Sequence, residues 1–128
     1  MRMSYDQLKF VKKTSLKESL KPNGSLEDFD AEDLVAKAFN NKYATNSVRE
    51  FKDKLLYINV DPNFIFGTRN PEDKIWISVT EIDKNTNTQN RIYIDSALDG
   101  AEASEMLSSW KDLYIMDSDG DVSTDEEK

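Results

Sequence analysis

A chain of 128 residues with 38% hydrophobic side chains and thirteen aromatics can bury a core, and it fits one domain of the usual ~100–150 residues. It holds no cysteine and no histidine, which excludes disulfides, thiolate and Ser-His-Asp catalysis, and both preferred zinc ligand types. Its net charge of −8 disfavours broad contact with phosphate backbones and suits a basic protein partner.

The charge is uneven. Residues 1–24 carry six Lys/Arg against Asp6 and Glu18, whereas residues 101–128 carry nine Asp/Glu against Lys111 and Lys128. The opening "MRMSYDQLKF" lacks the apolar run of a secretory signal, and no run approaches the roughly 18 apolar residues of a membrane span. A cytoplasmic protein without membrane contact is expected.

The first predicted element is a helix opened by a Ser4-x-x-Gln7 capping box, with Tyr5, Leu8 and Val11 at helical spacing. It stops near Lys13 or runs on to Leu20, and "KPNG" at 21–24 ends it. Lys9, Lys13, Lys17 and Lys21 recur every four residues, and if the helix runs on, the first three at least form one basic stripe. Such a stripe is most simply the solvated face of the helix. It could also meet phosphate, or the chain's own acidic end.

A second helix is expected near 31–39, capped at Ser25 or Asp30, with Leu34, Val35, Ala38 and Phe39 on its apolar face. A third is expected from about Ser47 to Tyr57, because Val48, Phe51, Leu55 and Ile58 follow a three-and-four spacing. Three helices before a hairpin suggest a winged-helix order, with Arg49, Lys52 and Lys54 reading DNA. Against it, the turn at 40–46 exceeds the 3–4 residues of a helix-turn-helix, and Glu50 and Asp53 interrupt the basic surface.

The period then shortens. "LYINV" and "FIF" flank Asp61-Pro62-Asn63 and read as two short strands. "KIWISVTEID" and "RIYID" alternate apolar and polar residues around the polar "KNTNTQN", which predicts a hairpin over 74–95. Strict alternation would put Trp76, Arg91 and Tyr93 on one face, either to stack bases or to pack under Trp110 and Tyr114. Glu72-Asp73-Lys74 matches the Glu-x-Lys fragment of metal-dependent nucleases, but it precedes its strand and lacks the upstream Pro-Asp. "GTRNPEDK" is no phosphate loop, and "FIFGTRNP" reads as a turn between strands.

A last helix is opened by an Asp99-x-x-Glu102 capping box and carries Met106, Leu107, Trp110, Leu113 and Tyr114 as its apolar stripe. The chain closes on "LYIMDSDGDVSTDEEK". An apolar run before Asp-x-Asp-Gly resembles the first motif of the haloacid dehalogenase phosphatases, which would make Asp117 a nucleophile and Asp119 an acid/base. That family wants Thr or Val where Asp121 stands, and seven following residues leave no room for its fold. The stretch also resembles an EF-hand loop, but Val122 stands where the turn Gly belongs and Lys128 where the bidentate Glu belongs. What remains is an acidic tail in which Ser118, Ser123 and Thr124 suit an acid-directed kinase.

The expected fold is α+β. Residues 1–116 form one domain of three N-terminal helices, a small antiparallel sheet built on the 74–95 hairpin and a C-terminal helix. Residues 117–128 form a disordered acidic tail. The expected function is that of a small acidic, non-enzymatic protein-binding module or modulator. It would dock on a basic protein that handles nucleic acid, such as a polymerase or nuclease, the profile of a phage-type host modulator. The expected contacts are Glu27, Asp28, Asp30, Glu32 and Asp33 with Asp117, Asp119, Asp121, Asp125, Glu126 and Glu127. No cofactor, metal or catalytic residue is expected. The alternative is a nucleic-acid-binding domain that uses Lys9, Lys13, Lys17 and Lys21, masked by the tail.

Overall fold

A computed structural model describes residues 21–127, with side chains through Ser118. The expected first helix, with Lys9, Lys13 and Lys17, lies outside the described residues. In chain order come a single 3-10 turn (Leu26–Asp28), α1 (Ala31–Asn41), β1 (Thr45–Phe51), β2 (Lys54–Asp61), β3 (Ile75–Asp83), β4 (Gln89–Ala97) and α2 (Gly100–Glu127). The strands make one antiparallel meander in the order β1-β2-β3-β4, and α1 and α2 pack together on one face of it. The α+β class, the antiparallel sheet and the C-terminal helix are as expected.

Local chemistry sets the helices. Asp30 caps α1 by accepting from the Asp33 N–H at 3.3 Å, and Glu32 and Asp33 sit where the helix dipole favours acids. Lys42, at φ 64°, closes α1 with its N–H on the Ala38 carbonyl. Asp99 Oδ1 accepts from the Glu102 N–H at 2.9 Å, while the Glu102 carboxylate accepts from the Leu98 N–H at 2.7 Å. The expected capping box therefore forms, reaching one residue further back than the simplest version.

The core fills the space between sheet and helices. Leu56, Ile58 and Val60 of β2 and Ile75, Ile77 and Val79 of β3 point to the helices, where Leu34, Ala38, Ala103 and Leu107 meet them. A row of rings follows the seam. Phe51 meets Tyr114 edge-on at 5.5 Å, Tyr114 stacks on Trp110 at 5.2 Å, and Trp110 stacks on Tyr93 at 6.2 Å. The Lys111 ammonium donates to the Glu27 and Phe29 carbonyls, binding α2 to the 3-10 turn.

Three expectations need correction. The segment Ser47–Tyr57 is not a helix but the β1–β2 hairpin, whose turn passes through Lys52 at φ 55°. β2 is central and buried on both faces, since Leu55 joins Val48 and Ile82 on the side away from the helices. Apolar residues on both faces mimic a three-and-four spacing. Phe64–Phe66 is not a strand, because only the isolated Ile65–Thr68 bridge forms there. An irregularity in the β3–β4 register skips Ile92, so Tyr93 turns to the helices while Trp76 and Arg91 stay on the other face. The backbone of 117–127 continues α2. Elongating an existing helix needs no new nucleus, although acids near its C-terminus oppose the dipole.

Candidate interaction surface

The antiparallel register gives the sheet two distinct ends. Thr45 faces Val60, Asp61 faces Trp76, and Ile75 faces Ala97. The connections 42–44, 62–74 and 98–99 therefore share one end. The turns 52–53 and 84–88 share the other.

The first end carries bare apolar side chains. Tyr43 is 63% exposed, Ile65 59%, Phe66 101% and Leu98 64%. Trp76 and Ile94 add exposed apolar surface beside it, on the face away from the helices. Among the described residues, the remaining exposed large apolar side chains are Leu113 and Met116 of α2.

The long connection at this end is internally bonded. The Asn63 N–H donates to Asp61 Oδ1 at 2.9 Å, and Asn63 Nδ2 reaches the Lys74 carbonyl at 3.2 Å. Phe64 packs edge-on against Phe39 at 5.9 Å. Arg69 spans the loop, donating to the Pro62 carbonyl at 2.7 Å and the Asp73 carbonyl at 2.6 Å, with its guanidinium over the Phe39 ring. The loop therefore keeps its shape without covering its own Phe66.

The second end is charged. Lys84 pairs with Glu50, and Lys54 lies 3.7 Å from Asp83. The Asn85 and Thr86 N–H groups both point at the Asp83 carboxylate and hold it below the ordinary carboxylate value of 3.8, with Lys54 assisting. A cleft of about 500 Å³ beside this end is lined by Phe51, Lys54, Glu81, Tyr114 and Asp117. The Tyr114 hydroxyl donates to Glu81 at 2.6 Å; burial first, then that carboxylate, pushes the phenol above its ordinary value of 10.0. A groove of about 550 Å³ lies between β4 and α2, with Tyr93, Met106 and Trp110 at its floor and Asp95, Glu102 and Glu105 along it. Burial, then Asp95, raises the Tyr93 phenol.

The expected contact residues fall into separate groups. Glu27, Asp28, Asp30, Glu32 and Asp33 are exposed, yet Asp30 is committed to capping and Asp33 pairs with Lys37 at 3.2 Å. Asp117 is exposed on α2 and lines the cleft near 51–54, so it does not join the 27–33 group. The side chains of Asp119, Asp121, Asp125, Glu126 and Glu127 lie outside the described residues. Lys21 is exposed.

The residues expected to read DNA share no helix. Arg49 is half-buried, donating to Ser47 Oγ and the Ser25 carbonyl above the Phe29 ring, while Lys52 lies over Phe51. Glu72 and Asp73 sit in a turn before β3, and their N–H groups are bonded to Asn70. Among the described residues, no three His, Cys, Asp or Glu gather to hold a metal ion, and no helix is long and apolar enough to cross a membrane.

Sequence reasoning missed the apolar end. The available signal was "FIFG", an apolar run broken by glycine in a segment otherwise rich in turn residues. Comparison with known proteins returned no matching family model, no matching curated protein and no matching solved structure.

Proposed function

We propose that this chain is a small, acidic, non-enzymatic protein-binding module that docks on a basic protein surface. A protein that handles nucleic acid, such as a polymerase or nuclease, is the best fit to the charge, because such a surface is basic for its own reasons. The observation that carries the reading is the gathering of Tyr43, Ile65, Phe66 and Leu98, all exposed, at one end of a sheet within a body of net charge −8.

The two properties divide the work. The acidic body raises the encounter rate with a basic partner and fades with salt. The apolar end then supplies affinity by leaving water, at roughly 1.5–3 kcal/mol for each large side chain fully buried. Large contiguous exposed apolar patches are uncommon on proteins that bind nothing. The nucleic-acid alternative rests on Lys9, Lys13 and Lys17, outside the described residues, and no observation favours it.

The test is affinity capture with the tagged full chain from nuclease-treated lysate, followed by reconstitution with the purified partner. The expected result is a stoichiometric complex whose association rate falls steeply between low and physiological salt, and whose lifetime shortens in Leu98→Ser. A chain that retains nucleic acid alone, or a complex indifferent to both salt and Leu98→Ser, would overturn the reading.

A further inference from the structure

The tip of the 62–74 connection is a two-residue turn. The Ile65 N–H donates to the Thr68 carbonyl at 2.7 Å, and the Thr68 N–H returns to the Ile65 carbonyl at 3.0 Å. Both central residues have positive φ, 51° at Phe66 and 81° at Gly67, which is the pattern of a type I′ turn. Gly67 adopts it without penalty. Phe66 does not, because a β-carbon at positive φ crowds the backbone, and Asn, Asp and Gly are the residues that tolerate it.

Phe66 gains nothing from its own fold in exchange. Its side chain is fully exposed and its neighbour Ile65 is 59% exposed. One residue thus combines an unfavourable backbone with an unfavourable surface, on a loop that Arg69 and Asn63 brace from below. Local strain of this kind persists where the surroundings impose it, and it concentrates at functional positions.

We propose that Phe66, with Ile65 beside it, is a preformed plug that enters an apolar pocket rimmed by Lys or Arg on the partner protein; this rests on the protein-binding reading above. Bracing the loop in advance removes the ordering cost that a flexible finger would meet on binding. The rim chemistry follows from the charge at this end of the sheet, where Asp61, Glu72, Asp73 and Asp99 outnumber Lys42, Arg69 and Lys74, and Arg69 is held on the Pro62 and Asp73 carbonyls and over the Phe39 ring. A net charge of −8 opposes approach to an anionic membrane, and it sets two copies of the chain against each other. A protein pocket is the occupant that satisfies both the ring and the surrounding acids.

The proposal is tested by placing the photo-crosslinker p-benzoyl-phenylalanine at position 66, with a control at position 85 on the opposite end of the sheet. The protein captured in cells is then purified, and its affinity for the wild type, Phe66→Leu and Phe66→Asn is measured. Phe66→Asn makes the turn Asn-Gly, the favoured pair for type I′ geometry. It should raise the melting temperature by a few degrees while weakening binding about thirtyfold or more, the loss expected of an aromatic hot spot. Phe66→Leu should retain part of the affinity. A cross-link from position 66 that maps inside a pocket flanked by Lys or Arg, together with this opposed pair of shifts, supports the plug.

Unchanged binding by Phe66→Asn to a partner that Leu98→Ser releases would overturn the plug and leave the binding module standing. Capture of a second copy of the chain from position 66, or binding to anionic phospholipid vesicles that Phe66→Asn abolishes, would overturn the pocketed partner. No saturable protein from either position would overturn the plug and the module together.

Discussion

The two ends of this sheet rest on the same strands and solve opposite problems. At the 52–53 and 84–88 end, Lys54, Asp83, Lys84 and Glu50 neutralise one another, and the Asp83 carboxylate is satisfied by backbone N–H groups. At the other end, backbone and Arg69 hydrogen bonds are spent on holding a loop whose apolar tip faces water. Equal scaffolding with unequal surface satisfaction separates a finished end from an unfinished one. The unfinished end is where a partner would gain most.

The largest expected effect removes what the ends share. Ile58→Ala, at the centre of the buried β2 face, should cost about 3 kcal/mol in denaturant unfolding and loosen both ends together. A much smaller cost would mean that the ends are held independently.

Next comes the Tyr114–Glu81 bond beside the charged end. Tyr114→Phe should lose about 1–2 kcal/mol, because the half-buried Glu81 carboxylate forfeits its donor. The folded Tyr114 phenol holds its proton above the unfolded value of 10.0, so its contribution is complete below pH 10 and is lost as pH rises beyond it. Tyr93 has the same sign. Alkaline melting curves should therefore fall above pH 10, and Tyr114→Phe should flatten much of that fall.

Asp83 has the opposite sign. Its folded value is lowered, so its contribution is present above pH 3.8 and disappears as pH falls through the folded value. Asp83→Asn should flatten the acid limb of the stability curve. The partly exposed Lys84–Glu50 pair should be worth less than about 1 kcal/mol, as Lys84→Ala melting in low and high salt would register.

The smallest stability effect belongs to the apolar end. Tyr43→Ser and Leu98→Ser should each leave unfolding free energy within about 0.5 kcal/mol of wild type, since neither side chain is buried. A cost approaching that of Ile58→Ala would erase the contrast between the ends.

Much of this fold is legible in the sequence, in specific places. The alternation over 75–83 yields β3, and the Asp99-Glu102 cap marks where α2 begins. α1 runs from Ala31, where its cap and apolar face put it. "LYINV" marks the strand that β2 forms, but β1 and the start of β2 are hidden because Val48 and Leu55 serve one face of the sheet while Phe51, Leu56 and Ile58 serve the other. The face of Tyr93 depends on the skipped Ile92, a backbone irregularity that leaves no mark in hydropathy. The candidate site was the least legible part. "FIF" has strand propensity and also opens the turn "FIFGTRNP", and the φ angle of Phe66 puts that residue at the turn itself.

The Lys111 clamp bears on the order in which this protein is made. The strands pair with near neighbours in sequence, a low-contact-order meander that can form early in synthesis. The Glu27 and Phe29 carbonyls stand 84 and 82 residues before Lys111, so that contact waits until the first turns of α2 are available. Until then a nascent sheet exposes Leu56, Ile58 and Ile77 to the ribosome surface and to chaperones. The helix that follows the sheet in the chain is therefore the part that closes the core and ends that exposure.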